Sequence, residues 1–242
     1  MLRSFATSDD DETDNYEYTR SISFSDSVIR VRHFDTQYSS GALHDEILSL
    51  VHAQTELMAK GVIIRGGVTV GNIVADGNDL FGPGFNRAYF LESKCAIFPR
   101  IVVDAEAIQA MATDERLKAE HHDFEDEIKY LDGLLIIGGD GQRYVDYLHA
   151  CYPELDEPER YKELLANHRQ IIVDRAALVS LKPDVLKKYL WLACYHNGIC
   201  KLNDYPDLFI LESDITGLEL WAREQSMAPV KGRRRKPRPD FE

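Results

Sequence analysis

Residues 18–34, YTRSISFSDSVIRVRHF, carry the pattern that decides how the fold begins. Apolar and β-branched residues alternate with polar ones on both sides of SDS, which is typical of two strands joined by a tight turn. The turn holds one carboxylate, Asp26, between Ser25 and Ser27. We therefore predict a β-hairpin that presents Asp26 at its tip.

Two interpretations of Asp26 follow from its position. A hairpin tip is a rigid mount for a carboxylate, and a hard divalent cation prefers oxygen ligands while keeping water and substrate phosphates in its shell. The alternative is a turn aspartate that hydrogen-bonds its own backbone, which is common in hairpins. The hairpin by itself leaves both open.

Downstream of the hairpin, helical and strand patterns alternate. Residues 41–61 place apolar residues at helical spacing and end in Gly61, which predicts one helix. Its predicted buried face is Leu43, Ile47, Leu50, Val51, Gln54, Leu57 and Met58. Next we predict a strand broken by a glycine pair (62–74), a turn (75–79), a Gly/Pro loop (80–84), a helix (85–98) and a strand (100–104).

The second half of the chain is predicted to be mainly helical. The predicted elements are a helix (105–121), two strands (128–137 and 142–150) around GGDG, helices over about 155–180 and 183–197, and a last helix that ends near Trp221. GGDG at 138–141 lacks the Lys-Ser ending of a phosphate-binding loop, so a turn between strands is favoured. The order of elements predicts an α/β protein, a mixed sheet sandwiched with helices.

Length and composition indicate one globular domain. The chain has 242 residues, of which 44% are hydrophobic and 29% charged. We predict a flexible acidic lead-in over 1–18, a domain over 19–225 and a basic tail over 226–242. No apolar run approaches a membrane span and no signal-peptide pattern is present, so we expect no membrane partner and a cytoplasmic location.

The charge distribution argues against nucleic acid as a partner. The formal net charge is -13, and the acidic excess lies on the body of the chain. An acidic surface repels phosphates, so we predict no nucleic-acid binding. The basic tail remains open to two interpretations, a solvated terminus or a phosphate contact.

The four cysteines do not form a recognisable metal motif. Cys194, His196 and Cys200 cluster in CYHNGIC, but their spacing matches no usual zinc pattern. With no secretory signal we expect reduced thiols. Core packing is therefore favoured over metal binding.

Three stretches follow the hairpin in order: IIRGGVTVG (63–71), LFGPGFNRAYFLES (80–93) and FPRIVVD (98–104). This succession resembles the catalytic domain of class III nucleotide cyclases. RGGVTVG, FGPGFN-x-AYFLES and PRI are similar to the pyrimidine nucleotide cyclases of Pycsar antiphage systems. The resemblance covers about residues 20–105, and KYLWLACYHN at 188–197 is similar to that group as well. It implies a class III cyclase-like fold.

The resemblance carries functional residues onto this chain. It implies that Asp26 is one of two metal aspartates and that Asn86 orients the ribose. The positions that help to read a purine base hold Ile22 and Pro83, whose side chains offer no hydrogen bonds, so a pyrimidine is favoured. The family's arginine for transition-state charge falls on Phe90.

Another arginine is therefore expected to meet the transition-state charge. We predict Arg100 as that catalytic residue and rank it ahead of Arg65. Arg65 and Ser25 are predicted to contact the substrate. The alternative for Arg100 is a surface ion pair.

The implied reaction is attack of the ribose 3′-hydroxyl on the α-phosphorus of UTP, or less favourably CTP, with release of pyrophosphate. The resemblance implies two Mn²⁺ or Mg²⁺ ions per site, which clamp the attacking and leaving oxygens. It also implies a head-to-tail homodimer with two sites at the interface, where Asp26 and Asn86 come from different chains. The cyclic nucleotide is expected to act on a separately encoded effector in antiphage defence.

The chain departs from the family at the first metal aspartate, which is expected on a central strand upstream of the hairpin. Only 25 residues precede Asp26, and the aspartates at 9–14 lie in a polar run. Three interpretations stay open: a longer chain that starts upstream of Met1, a decayed remnant, or a non-catalytic partner or sensor. A catalytically inactive cyclase-like module is thus the second functional hypothesis, and a likeness of fold alone is the third.

Overall fold

The structure, a computed structural model, describes residues 19–24, 26–33, 41–76, 79–155, 158–179 and 182–226. The predicted acidic lead-in, Ser25 and all but the first residue of the basic tail lie outside these residues. The predicted hairpin is confirmed. Strands β1 (Thr19–Phe24) and β2 (Ser27–Arg32) pair antiparallel, and Phe24 faces Ser27 across a two-residue turn that contains Asp26.

The first helix, α1 (Ala42–Ala59), is the one predicted before Gly61. All seven residues of its predicted inner face are buried, so the apolar spacing identified the core side correctly. The hairpin is tied to this helix by charge. Arg30 and Arg32 both donate hydrogen bonds to the Glu46 carboxylate of α1, at 2.8 and 2.9 Å.

The central sheet is mixed. Its strands are β3 (Gly66–Val68), β6 (Ile101–Val103), β7 (Leu135–Ile137) and β8 (Arg143–Val145), in the spatial order β3-β6-β8-β7. β3 and β6 are parallel, whereas β6–β8 and β8–β7 are antiparallel. A further antiparallel pair is β4 (Val74–Asp76) with β5 (Asp79–Phe81). The predicted α/β class with a mixed sheet is confirmed.

Further helices surround this sheet. They are α2 (Pro83–Phe90), which continues into a π-helical turn (Leu91–Cys95), α3 (Ala105–Ala110), α4 (Phe124–Leu131), α5 (Tyr147–Ala150), α6 (Pro158–Leu178), α7 (Pro183–Leu202) and α8 (Leu218–Ser226). Both long helices of the second half, α6 and α7, lie where they were predicted. In the part of the chain that the structure describes, no helix is long and apolar enough to cross a bilayer.

Several predicted boundaries were wrong. The glycine pair 66–67 forms the first two residues of β3 rather than breaking a strand over 62–74, and Gly67 is where the adjacent helix packs closely against the strand. Only 105–110 of the predicted helix 105–121 is α-helical. The segment predicted as a strand over 128–137 is instead the end of α4 followed by β7. Of the strand predicted over 142–150, residues 143–145 form β8 and residues 147–150 form the helix α5. Short apolar runs do not distinguish a strand from a helix by spacing.

The core lies between α1, the central sheet and the C-terminal helices. All three residues of β6 are buried, as expected for a strand that is covered on both faces. A second cluster joins α6, α7 and α8 through Ile172, Leu192 and Leu218, among others. The GGDG segment is the predicted turn between β7 and β8, closed by a hydrogen bond from Gly141 N to Gly138 O of 2.9 Å.

Candidate functional site

Asp26 lies exposed at the tip of the β1–β2 hairpin. Its carboxylate makes no hydrogen bond or ion pair with any residue that the structure describes. The alternative of a turn aspartate bonded to its own backbone is therefore not observed in that part of the chain. The two arginine contacts to Glu46 hold β2 on α1 and leave the tip available for a ligand.

Asn86 lies in the first turn of α2 and is exposed. The start of this helix rests directly on the backbone of residues 71–72. Gly84 N donates to Asn72 O at 3.0 Å, and a Cβ on Gly84 would lie 3.0 Å from Gly71 O. Small residues at 71 and 84 therefore bring the helix close to the preceding segment and fix where Asn86 is presented.

A second close glycine contact packs the C-terminal end of the same helix against the sheet. A Cβ on Gly67 of β3 would lie 2.4 Å from Leu91 Cβ and 2.8 Å from Ala88 O, so no other residue fits without displacing the helix. Gly67, the second glycine of RGGVTVG, thus lets α2 and its π-helical turn pack against β3. The helix that carries Asn86 is held at both ends.

Arg65 and Arg100, both predicted to meet substrate charge, contact the end of that helix. Arg65 Nη1 donates to Ala96 O at 3.4 Å, and Arg100 Nη2 donates to Cys95 O at 3.3 Å. Arg65 also pairs with Glu92 at 2.7 Å. These bonds satisfy carbonyls that have no partner within the helix. The structure brings the two arginines together at the C-terminal end of the π-helical turn.

Arg100 is buried, with 2% of its surface exposed, and so the alternative of a surface ion pair was wrong about its location. Its guanidinium carbon lies 5.8 Å from the Phe98 ring centroid, 5.1 Å from that of Tyr144 and 5.9 Å from that of Trp191. The Asp140 carboxylate of the GGDG turn completes an ion pair. This enclosure stabilises the contact between the sheet and α7, and a catalytic role for Arg100 stays a prediction.

Arg87 and Asp104 form a pair that the sequence analysis did not identify. Arg87 Nε and Nη2 donate to the two Asp104 oxygens at 2.7 and 2.8 Å, and Thr69 Oγ1 donates to the same carboxylate at 2.7 Å. The hydrogen bond from Arg87 above all holds the pKa of Asp104 below its ordinary value, and the same bond raises the pKa of Arg87. The available signal was an aspartate between the end of a strand and a helix, where it caps α3.

Ile22 and Pro83 are the residues at the two positions for which the resemblance implies base reading. Ile22 is half-buried in β1, opposite Ile29, and Pro83 is the exposed first residue of α2. Neither side chain can donate or accept a hydrogen bond.

Asp26 alone does not complete a metal centre within one chain. Among the described residues, no three His, Cys, Asp or Glu side chains come together in a way that would hold a metal ion. Two ions at one site need more than a single carboxylate, so the described residues do not fit the expected two-ion centre.

His196 and Cys200 of CYHNGIC are buried core residues, in agreement with the favoured interpretation. His196 Nε2 lies 2.9 Å from Leu208 O, and its Nδ1 lies 3.1 Å from His168 Nδ1. Burial lowers the pKa of His196 to about 4 and raises that of the Cys200 thiol to about 12. Both groups are therefore neutral near pH 7.

An apolar surface lies beside the helix that carries Asn86. It consists of Val74, Phe81, Tyr89 and Phe90, all exposed. Val74 and Phe81 are direct cross-strand partners in the β4–β5 pair, and β5 packs against α2. Val74 and Phe81 thus form one exposed apolar pair, and Tyr89 and Phe90 form another on α2, which makes this side of the molecule a candidate interaction surface.

The candidate site thus has two exposed polar groups, Asp26 and Asn86, on separately braced elements, and no hydrogen bond joins them in the described part of the chain. Comparisons with models of protein families, with curated proteins and with solved structures find no match.

Proposed function

We propose that this chain is the body of a pyrimidine nucleotide cyclase. It converts UTP, or less favourably CTP, to the 3′,5′-cyclic nucleotide and pyrophosphate, as a second messenger for a separately encoded effector in antiphage defence. The observation that carries the proposal is that the side chains of Asp26 and Asn86 are both exposed and make no hydrogen bond in the described structure, while the hairpin and helix that hold them are braced. Polar groups that the fold does not use are available for a substrate.

The proposed reaction is a ring closure on one nucleotide. The ribose 3′-oxygen forms a bond to the α-phosphorus, and the bond from that phosphorus to the oxygen that bridges to the β-phosphate breaks. The proton of the 3′-hydroxyl group passes to solvent. The Asn86 amide can both donate and accept hydrogen bonds, which suits it to hold the ribose in line. The protein's task in such a transfer is mainly to position groups and to balance charge.

The lining at the base-reading positions supports a pyrimidine substrate. A site that selects a purine needs hydrogen-bonding groups for its edge, and a missing partner costs heavily in discrimination. Ile22 and Pro83 supply none.

Two further features support a site that needs more than the described residues of one chain, namely a second copy of the chain and a further strand. The exposed surface of Val74, Phe81, Tyr89 and Phe90 lies beside α2 and would be covered in a homodimer, which would bring Asn86 of one protomer toward Asp26 of its partner. In the described residues, the β1–β2 hairpin pairs only with itself and β3 pairs only with β6. A further strand at either of these edges would carry the second metal aspartate, which the described residues do not supply.

The test is turnover by the chain and by a version extended upstream of Met1. Each is incubated with Mn²⁺ and UTP, CTP, ATP or GTP, and pyrophosphate and the cyclic product are measured. We expect product from the pyrimidines, abolished by Asp26→Ala and retained by Asp132→Ala, which removes an exposed aspartate at the end of α4. Absence of turnover of either pyrimidine by the extended chain would refute the proposal.

The second candidate function is a catalytically inactive cyclase-like module that binds a nucleotide or a partner chain. It is favoured by the engagement of Arg65 and Arg100 in helix capping and by the single carboxylate at the hairpin tip. Such a module would bind UTP without turnover, with an affinity that Asp26→Ala leaves unchanged. An in-frame stop codon directly upstream of Met1 would also favour it.

A further inference from the structure

Arg87 is oriented by a buried carboxylate on one of its two hydrogen-bonding edges. Asp104 is 2% exposed and accepts from Arg87 Nε and Nη2 in a bidentate arrangement. Asp104 is fixed in turn by the Thr69 hydroxyl and by Glu106 N at 3.4 Å. A guanidinium held in this way loses little freedom when its second edge binds a ligand.

The second edge of Arg87 faces outward. Its side chain is 39% exposed, and Nη1 has no hydrogen-bond partner among the residues that the structure describes. The Phe90 ring lies 5.6 Å from the guanidinium carbon and limits where the side chain can swing. Glu106 is the other nearby charge, with its carboxylate 4.0 Å from Nη2, and it is exposed enough to turn toward solvent.

The location of the pair is one where α/β proteins bind ligands. Thr69 and Asp104 directly follow Val68 and Val103, which are register partners at the carboxyl ends of the parallel strands β3 and β6. Ligands of open α/β sheets bind at the carboxyl ends of strands. Arg87 is also the residue next to Asn86 on α2, so the guanidinium and the amide belong to one short segment.

We propose that the outward edge of Arg87 binds the polyphosphate of the substrate, with Asp104 and Thr69 as its positioning residues. Arginine presents paired donors that match phosphate oxygens, which a lysine cannot reproduce. Arg87 would then balance the charge of the phosphates, the role that the sequence analysis gave to Arg100 or Arg65. Arg100 is buried, and Arg65 is already bonded to Glu92 and Ala96. The nucleotide part of this inference rests on the proposed function, whereas the polyphosphate contact does not.

The experiment is calorimetric titration of the full chain with inorganic tripolyphosphate at low, fixed salt. We expect Arg87→Gln to weaken binding at least tenfold. The matched control is Arg116→Gln, because Arg116 also forms a bidentate pair with an aspartate, Asp114, at 2.9 and 2.7 Å but on a different element. Equal affinity of Arg87→Gln and the unchanged chain, or no binding by the unchanged chain at millimolar tripolyphosphate, would overturn the inference.

A second variant separates binding from folding. Arg87→Lys keeps the positive charge beside Asp104 and removes the forked donors, so we expect a folded protein with binding weakened severalfold. If Arg87→Gln fails to fold, an unchanged affinity in Arg87→Lys would overturn the inference. Turnover of UTP is measured in parallel: Arg87-dependent binding without turnover refutes the cyclase alone, and turnover that Arg87→Gln does not affect refutes this inference alone.

Discussion

The region around Arg100 and the region around Asp26 and Asn86 use polar residues in opposite ways. Arg100 is enclosed by three aromatic rings and an ion pair, and the contacts with Tyr144, Trp191 and Asp140 join parts of the chain that are far apart in sequence. Asp26 and Asn86 are exposed, and their side chains have no hydrogen-bond partner in the described structure. All three residues were predicted from sequence motifs to act in the site. Their burial separates them: a buried polar residue such as Arg100 stabilises the fold, whereas the exposed side chains of Asp26 and Asn86 remain available for a ligand.

A buried histidine pair extends the interlocked region into the C-terminal helices. The Tyr147 hydroxyl lies 2.8 Å from His168 Nε2, and His168 Nδ1 lies 3.1 Å from His196 Nδ1. Because the Leu208 carbonyl can only accept, His196 carries its hydrogen on Nε2, His168 donates to His196, and Tyr147 donates to His168. Every ring nitrogen is satisfied with both histidines neutral.

The strongest test of the comparison is removal of the Arg100 guanidinium. Arg100→Met deletes the charge-assisted hydrogen bonds to Asp140 and the three ring contacts, and we expect a loss of about 2–4 kcal/mol in the free energy of unfolding. The loss is limited because the Asp140 carboxylate left behind is 40% exposed and stays solvated. Arg65→Met is the control, because Arg65 is 39% exposed, and its loss should be about 0–1 kcal/mol. Urea denaturation measures both. Equal losses would contradict the distinction between the two arginines.

The GGDG turn gives the next effect. A Cβ on Gly138 would lie 2.7 Å from Asp140 Oδ1 and 2.9 Å from Arg100 Nη1, so Gly138→Ala must disturb their ion pair. We expect it to destabilise the fold by about 1–3 kcal/mol. The loss should shrink in the Arg100→Met background, since the two sites share one contact. Full additivity in a double-mutant cycle would count against this explanation.

The histidine pair predicts how stability depends on pH. Burial lowers the pKa of His196 to about 4 and that of His168 well below its ordinary value, so the unfolded chain binds protons more readily than the folded one between pH 4 and 6.5. Through His196 alone, the free energy of unfolding should fall by about 2 kcal/mol when the pH is lowered from 7.5 to 5. Chemical denaturation at the two pH values tests this.

His196→Gln keeps a side-chain N–H donor and removes one of the two titrating groups, so the pH dependence of the free energy of unfolding should weaken by about the His196 contribution, and His168 should supply what remains. His121→Gln is the control, because His121 is exposed and its removal should leave the dependence unchanged. A slope in His196→Gln as steep as in the unchanged chain would assign the effect to other groups.

The smallest effects on stability are expected at the candidate site. Asp26→Ala and Asn86→Ala should each change the free energy of unfolding by less than about 0.5 kcal/mol, because neither side chain contributes a contact to the described fold. Both should nevertheless abolish turnover of UTP. A large loss of stability in either variant would mean that these residues support the fold after all.

Local patterns predicted the elements whose signal lies within a few residues. The hairpin around Asp26, the buried face of α1 and the GGDG turn all follow from alternation, helical spacing or glycine content. The strand around IVV was predicted to within one residue at each end, whereas the one around LII was not delimited, because a short apolar run fits a strand or a helix equally well. Part of 128–137 therefore proved to be helical.

The sequence by itself determined the α/β class, the residues of the first helix that face the core, and the exposed carboxylate at the hairpin tip. Only the tertiary structure decided that Arg100 is buried, that Arg87 is held by Asp104, and that His168 and His196 share a hydrogen bond. Hairpin turns and helix faces are local properties of the chain. The burial and pairing of a charged or titrating side chain depend on residues that meet only after folding, such as Arg100 and Asp140.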